Sequence, residues 1–168
     1  SWLLRKQVAL KTARLERELT ERLRVEEALR RSEKRFRNYI EGSPTALFIV
    51  DGEGRCRFVN PMASQLTGYP MEELLAMTIR DLAHPDLGDE PRLIPLLRLQ
   101  KRVHRELALR TREGERIEVL LDGVKLDDDR YMAFCTDITE TKRTEPALRK
   151  NEAMLRSVFQ AAPVGIAL

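Results

Sequence analysis

The 168-residue chain reads as an α+β domain built on an antiparallel sheet and flanked by long polar helices. Three observations lead there. The first forty residues hold no Gly or Pro and are dominated by Ala, Leu, Glu, Arg and Lys, the composition of one continuous helix. From Gly42 to Thr136 the texture changes to short alternating runs separated by Gly, Pro and Asp. Their order is strand–strand, small helices, strand–strand–strand. Finally, a shift of 119 positions lays residues 20–49 on residues 139–168 with ten of thirty pairs identical, Pro44 on Pro163 among them. The chain therefore reads as one unit of a tandem array, with a second unit beginning at its end.

Composition narrows the class. No apolar run approaches the ~18–20 residues of a membrane span. Ser1 opens no signal-peptide pattern, so the chain is expected to be a fragment of something longer. Two cysteines, Cys56 and Cys135, are too few for a disulfide scaffold or a metal cage. The net charge of +3 is unevenly spread: +5 in residues 1–41, −4 in 42–137 and +2 in 138–168. A groove-reading domain concentrates positive charge on its folded body, so no nucleic-acid partner is expected.

Along the helix, a heptad register runs through Leu4, Val8, Lys11, Leu15, Glu18, Arg22, Val25, Leu29, Ser32, Phe36 and Tyr39, seven of these eleven being apolar. A parallel homodimeric coiled coil with an imperfect seam over residues 1–40 fits this pattern. Gly42-Ser43-Pro44 breaks the helix. The runs 46–51 and 55–60 flank Gly52-Glu53-Gly54 as a hairpin. Asn60 caps a short helix that has Pro61 in its first turn, and a second helix follows Gly68-Tyr69-Pro70. The chain turns at His84-Pro85-Asp86, a helical stretch lies near 90–101, and strands follow near 103–111, 115–126 and 130–137.

Several strings in this order resemble the PAS domain, the sensory and relay module of bacterial signalling proteins. Residues 32–75 (SEKRFRNYIEGSPTALFIVDGEGRCRFVNPMASQLTGYPMEELL) are similar to the family's opening, and "DLAHPD" to the loop before its long helix. Glu106 with Gly114 eight residues on, "CTDITE" at 135–140 and "EEALRRSEKRFR" resemble its third strand, its closing motif and the linker between copies. The resemblance implies a five-stranded antiparallel sheet with short helices on one face, enclosing a small cavity. It implies a signalling helix at 1–31, the PAS domain at 32–137, a linker helix at 138–160 and the start of a second PAS domain at 161–168. The parent it implies is a sensor histidine kinase or a diguanylate cyclase. Trp2, Leu3 and Leu4 followed by Arg5 and Lys6 look like a segment just inside a membrane helix, which places the chain on the cytoplasmic side of the inner membrane.

The expected function is a non-catalytic relay that couples a small-molecule ligand or an upstream signal to a neighbouring domain of the same chain. The alternative is a ligandless dimerisation scaffold. Pocket candidates are Phe48, Val50, Phe58, Leu97, Leu107, Val119, Leu121 and Phe134, taken as inward-facing. The signal junction is Asp137, Thr139, Glu140 and Pro146, where Asp137 caps the outgoing helix and Glu140 reaches back. Pro146 is expected to kink that helix or restart it near residues 144–146. No nucleophile–base pair or phosphate loop is found, so no catalysis is expected. His104 only faintly echoes a phospho-acceptor box and reads as a strand residue. His84, Asp86, Asp89 and Glu90 read as turn chemistry rather than a metal site. Neither haem nor covalent flavin has support in the sequence, since Cys56 and Cys135 both read as strand residues.

Overall fold

The computed structural model of the chain describes residues 1–87 and 93–161, and these divide into two compact units, Ser1–Gly42 and Ser43–Leu168. The expected second copy at 161–168 lies outside the described residues except for Ala161, as do Asp89 and Glu90.

The first unit is the single helix α1 (Trp2–Glu41). Ser1 caps its start, its hydroxyl accepting from the Leu4 amide at 3.5 Å. The Gly42 amide closes its end by donating to the Asn38 carbonyl at 3.0 Å. The expected boundary at residue 31 falls inside this unbroken helix. Ion pairs of Arg14 with Glu18 and of Arg30 and Arg31 with Glu27 run along it at three- and four-residue spacing on its exposed surface.

The second unit contains β1 (Ala46–Asp51), β2 (Cys56–Val59), α2 (Pro61–Thr67), α3 (Met71–Ala76), α4 (Ile79–Leu82), a 3-10 turn (Pro85–Leu87), α5 (Leu93–Gln100), β3 (Arg102–Arg110), β4 (Arg116–Lys125), β5 (Arg130–Asp137) and α6 (Thr139–Ala161). All strand pairs are antiparallel, in the order β2-β1-β5-β4-β3. The α4 turn escaped sequence reading. It forms because the Thr78 amide and hydroxyl both donate to the Asp81 carboxylate, at 2.7 and 2.8 Å.

Asparagine and aspartate side chains fix the connections. Asp51 closes the β1–β2 hairpin by accepting from the Glu53 and Arg55 amides, both at 3.0 Å, while Gly54 supplies the positive φ of +83°. Burial pushes the Asp51 carboxyl up, but those two amides and the Arg57 guanidinium outweigh it and hold the carboxyl below its usual range. Asn60 ends β2, caps α2 and is completely buried. Its Oδ1 accepts from Leu47 at 2.9 Å and Ala63 at 3.0 Å, and its Nδ2 donates to the Thr45 carbonyl at 3.0 Å.

One face of the sheet carries the core. Ala46, Phe48 and Val50 of β1 lie opposite Cys135, Ala133 and Tyr131 of β5, and Leu121 of β4 also lies opposite Cys135; all are buried. Helix α5 closes over β3 and β4 so tightly that a methyl group on Gly123 would sit 3.2 Å from Leu97 Cδ1. The opposite face presents Ile49, Phe58, Leu120, Val124, Met132 and Phe134, all partly or largely exposed.

The restart expected at Pro146 is corrected by the structure. Helix α6 runs unbroken from Thr139 to Ala161 with Pro146 inside it and no residue buried. The one carbonyl that loses its partner, that of Lys142, belongs to an exposed helix and can turn to water. The Thr144 hydroxyl bonds back to the Glu140 and Thr141 carbonyls, at 3.0 and 3.2 Å, in the turn before the proline.

Two consequences are testable. Asn60→Ala strands the Leu47 amide and the Thr45 carbonyl and uncaps α2. It is expected to destabilise the second unit by about 2–4 kcal/mol, read as a lower urea midpoint by circular dichroism. Burial raises the Cys135 thiol to about 12; burial, with Asp81 and Asp51 nearby, raises Cys56 to about 11. Both therefore stay protonated at pH 8. Iodoacetamide should leave the native chain unlabelled there and add two carbamidomethyl groups in denaturant, counted by intact mass.

Candidate functional site

The eight pocket candidates divide between the two faces of the sheet. Phe48, Val50, Leu97, Val119 and Leu121 are buried together in the core, and half-buried Leu107 packs against them. Phe58 and Phe134 are on the other face. Phe134 lies opposite Leu47 and Asp122, out of phase with inward Ala133 and Cys135, and is 37% exposed. Phe58 is displaced by a bulge: Ile49 pairs with Phe58 while Val50 pairs with Cys56, leaving Arg57 as the extra residue. The bulge resets the alternation, so Cys56 and Val59 are inward and Phe58 joins Ile49 outside. Sequence reasoning had omitted Val59, Leu74, Leu82 and Tyr131 from this core, all buried.

The strand–helix junction is built on β4. Backbone pairing of β5 with β4 ends at Asp137 opposite Val119. The Ile138 amide then donates to the Glu118 carbonyl at 2.9 Å, and the Glu118 amide donates to the Thr139 hydroxyl at 3.0 Å. Thr139 thus stands in for one more ladder residue while already belonging to α6. Asp137 accepts from the Thr139 amide at 2.8 Å, so it does satisfy a donor at the helix start. Glu140 does not reach back. Among the described residues, its side chain makes no hydrogen bond to that turn.

A chain of charges surrounds the same point. Lys142, one turn into α6, lies 2.6 Å from Glu106 of β3 and 3.7 Å from Glu118 of β4. The hydrogen bond to Glu106 holds the Lys142 ammonium above its usual range, with both carboxylates adding to the attraction. Arg116 pairs with Glu118 at 2.8 Å and with Asp86 of the 3-10 turn at 3.0 Å. The start of α6 is therefore fixed to two strands, and through Arg116 to the segment joining α4 and α5. Sequence reading missed Glu118, Lys142 and Arg116. The available signal was Glu118 itself, a charge next to the apolar run Val119-Leu120-Leu121.

His104 pairs with Asp122 at 2.8 Å on the exposed face of β3, in a strand and not on a helix. His84 contacts Asp86, its Nδ1 accepting from the Asp86 amide at 3.3 Å, which is turn geometry. Cys56 and Cys135 lie in β2 and β5. No group of three or more metal-ligating side chains converges among the described residues.

Residues 34–138 match the model of the PAS fold. Sporulation kinase E of Bacillus subtilis (strain 168) is 25% identical over 142 residues, covering 82% of this chain and 19% of that protein. The probable diguanylate cyclase DgcE of Escherichia coli (strain K12) is 29% identical over 152 residues, covering 80% of this chain and 13% of that protein. The chain thus spans less than a fifth of either relative. Among solved structures, a domain of the sensory box sensor histidine kinase/response regulator from Geobacter sulfurreducens superposes with a TM-score of 0.59 at 25% identity, covering 65% of this chain and 96% of that one. The chain belongs to the PAS family.

Proposed function

We propose that this chain is a non-catalytic sensory and relay module of a longer bacterial signalling protein, with a sensor histidine kinase as the first choice of parent and a diguanylate cyclase as the second. The observation that carries the reading is the junction. The output helix α6 starts without a linker from the last strand, and Thr139 and Lys142 fix it to β3 and β4. A ligand in the core, or a movement of an upstream helix, that alters the sheet must alter the start of α6 with it.

Dimerisation through α1 is supported by its uncovered stripe. Leu4, Val8, Leu15, Val25, Leu29, Phe36 and Tyr39 are each more than half exposed in the single chain. A helix of 40 residues is about 60 Å long, longer than a small domain is wide. Placement on the cytoplasmic side of the inner membrane rests on Trp2, Leu3 and Leu4 at the start of α1, exposed beside Arg5 and Lys6, with the Lys6 ammonium 5.0 Å from the Trp2 ring centroid. No described helix is itself long and apolar enough to cross a membrane.

Native mass spectrometry of the 168-residue chain tests the proposal. A dimer carrying extra non-covalent mass is the expected result. A dimer of bare chains favours the ligandless scaffold, and a monomer at tens of micromolar overturns the α1 dimer. The junction is tested separately by Thr139→Val, which keeps side-chain shape but leaves the Glu118 amide unpaired. Hydrogen exchange of the first turns of α6 should quicken about 5-fold, with β1 unchanged; equal exchange in both chains sinks the coupling.

A further inference from the structure

Strand β3 breaks its own pattern. The alternation that turns Val103, Leu107 and Leu109 toward the core turns Arg105 the same way, opposite buried Leu121. Its neighbours on that face are apolar: Val103 and Leu107 along the strand, and Val119, Leu121 and Gly123 on β4. An arginine among them is normally answered by a carboxylate, as Arg57 is by Asp51, Arg112 by Glu73 and Arg116 by Glu118. Arg105 has no such answer. Its Nε is buried without a hydrogen-bond partner, the one side-chain nitrogen or oxygen in that condition among the described residues, and no described carboxylate pairs with its guanidinium.

The surroundings give the place a shape. At one end α5 seats Leu97 against Gly123. At the other, the chain returns along β3 where Ala83 bridges Leu109 and the His84 amide donates to the Ala108 carbonyl at 3.0 Å. Between these two points Arg105 and Leu107 are only half-buried, although both face the core. A guanidinium presents a planar fork that suits a carboxylate or phosphate in two parallel bonds, and half-buried Leu107 beside it suits hydrocarbon.

We propose that Arg105 anchors a site on the core face of β3 for a small organic anion, a carboxylate carried on an apolar body. The site deepens the sensory reading given above and rests on it. Occupancy would supply the partner that the buried Nε lacks.

Calorimetric titration of the full chain at pH 7.5 tests this with octanoate, its neutral twin 1-octanol and inorganic phosphate. Octanoate should bind at least ~10-fold more tightly than 1-octanol, the range expected for a charge-assisted pair. Arg105→Met keeps a long unbranched side chain and should abolish that preference, while Arg105→Lys should restore part of it. Without ligand, Arg105→Met should unfold in urea at no lower concentration than the parent, because it removes an unpaired buried donor. Equal binding of octanoate and 1-octanol by the parent chain overturns the anion site while leaving a sensory pocket standing. Phosphate binding as tightly as octanoate overturns the apolar body, and no binding of either anion overturns the site altogether. Octanoate bound unchanged by Arg105→Met, or a lower urea midpoint for that variant, assigns Arg105 to the fold instead. A failure of the sensory reading shows separately, as the bare dimer in native mass spectrometry.

Discussion

A single buried amide holds the frame on which the remainder depends. Asn60 lies where β2 ends, α2 begins and β1 passes alongside, and it bonds to all three regions through Thr45, Leu47 and Ala63. Its backbone amide adds a bond to the Leu47 carbonyl at 3.2 Å, so β2 is prolonged by one residue before the chain turns into helix. Aspartate at this position would remove the donor to Thr45 and bury a charge; serine would be too short to span two segments. The helical layer takes its starting direction from this contact. The tight seat of α5 on Gly123 closes the other end of the same layer.

Order along the chain was legible because it is written locally. Helix α1, the hairpin, the cap at Asn60 and the last three strands depend on composition, turn residues and two-residue alternation, all visible within about ten residues. Facing was less legible. One extra residue in β2 has no compositional mark, yet it moves Phe58 from the core to the other face. In β5, Tyr131-Met132-Ala133-Phe134-Cys135 is apolar at every position, so alternation gives no parity. The structure turns tyrosine, alanine and cysteine inward and leaves phenylalanine outside. The inner position beside Ala133 faces Phe48 across the ladder, a pairing that β5 alone does not reveal.

The junction shows the same limit at longer range. Asp137 and Thr139 were found because they adjoin the helix they start. Glu118 and Glu106 lie 21 and 33 residues earlier than Thr139, and only the folded sheet brings them to α6. The restart expected at Pro146 marks the reverse error, a strong local rule that the context weakens. A missing hydrogen bond on an exposed helix can be replaced by water, whereas the same proline in a buried helix leaves a carbonyl with nothing.

The alternation of β3 ties the two functional regions together. Arg105 and Glu106 are successive residues, so their side chains leave the strand on opposite faces. Arg105 faces the core, where its Nε is unpaired. Glu106 faces outward and holds Lys142 of α6 at 2.6 Å. One peptide unit therefore separates the position proposed to meet a ligand from the position that grips α6. Any displacement of β3 that improves the bonding of one must carry the other with it, because a strand hydrogen-bonded along nine residues to β4 moves as a body rather than residue by residue. Under the proposed relay, transmission would need no chain of side chains through the core: β3 itself would be the connection, its two faces serving as input and output.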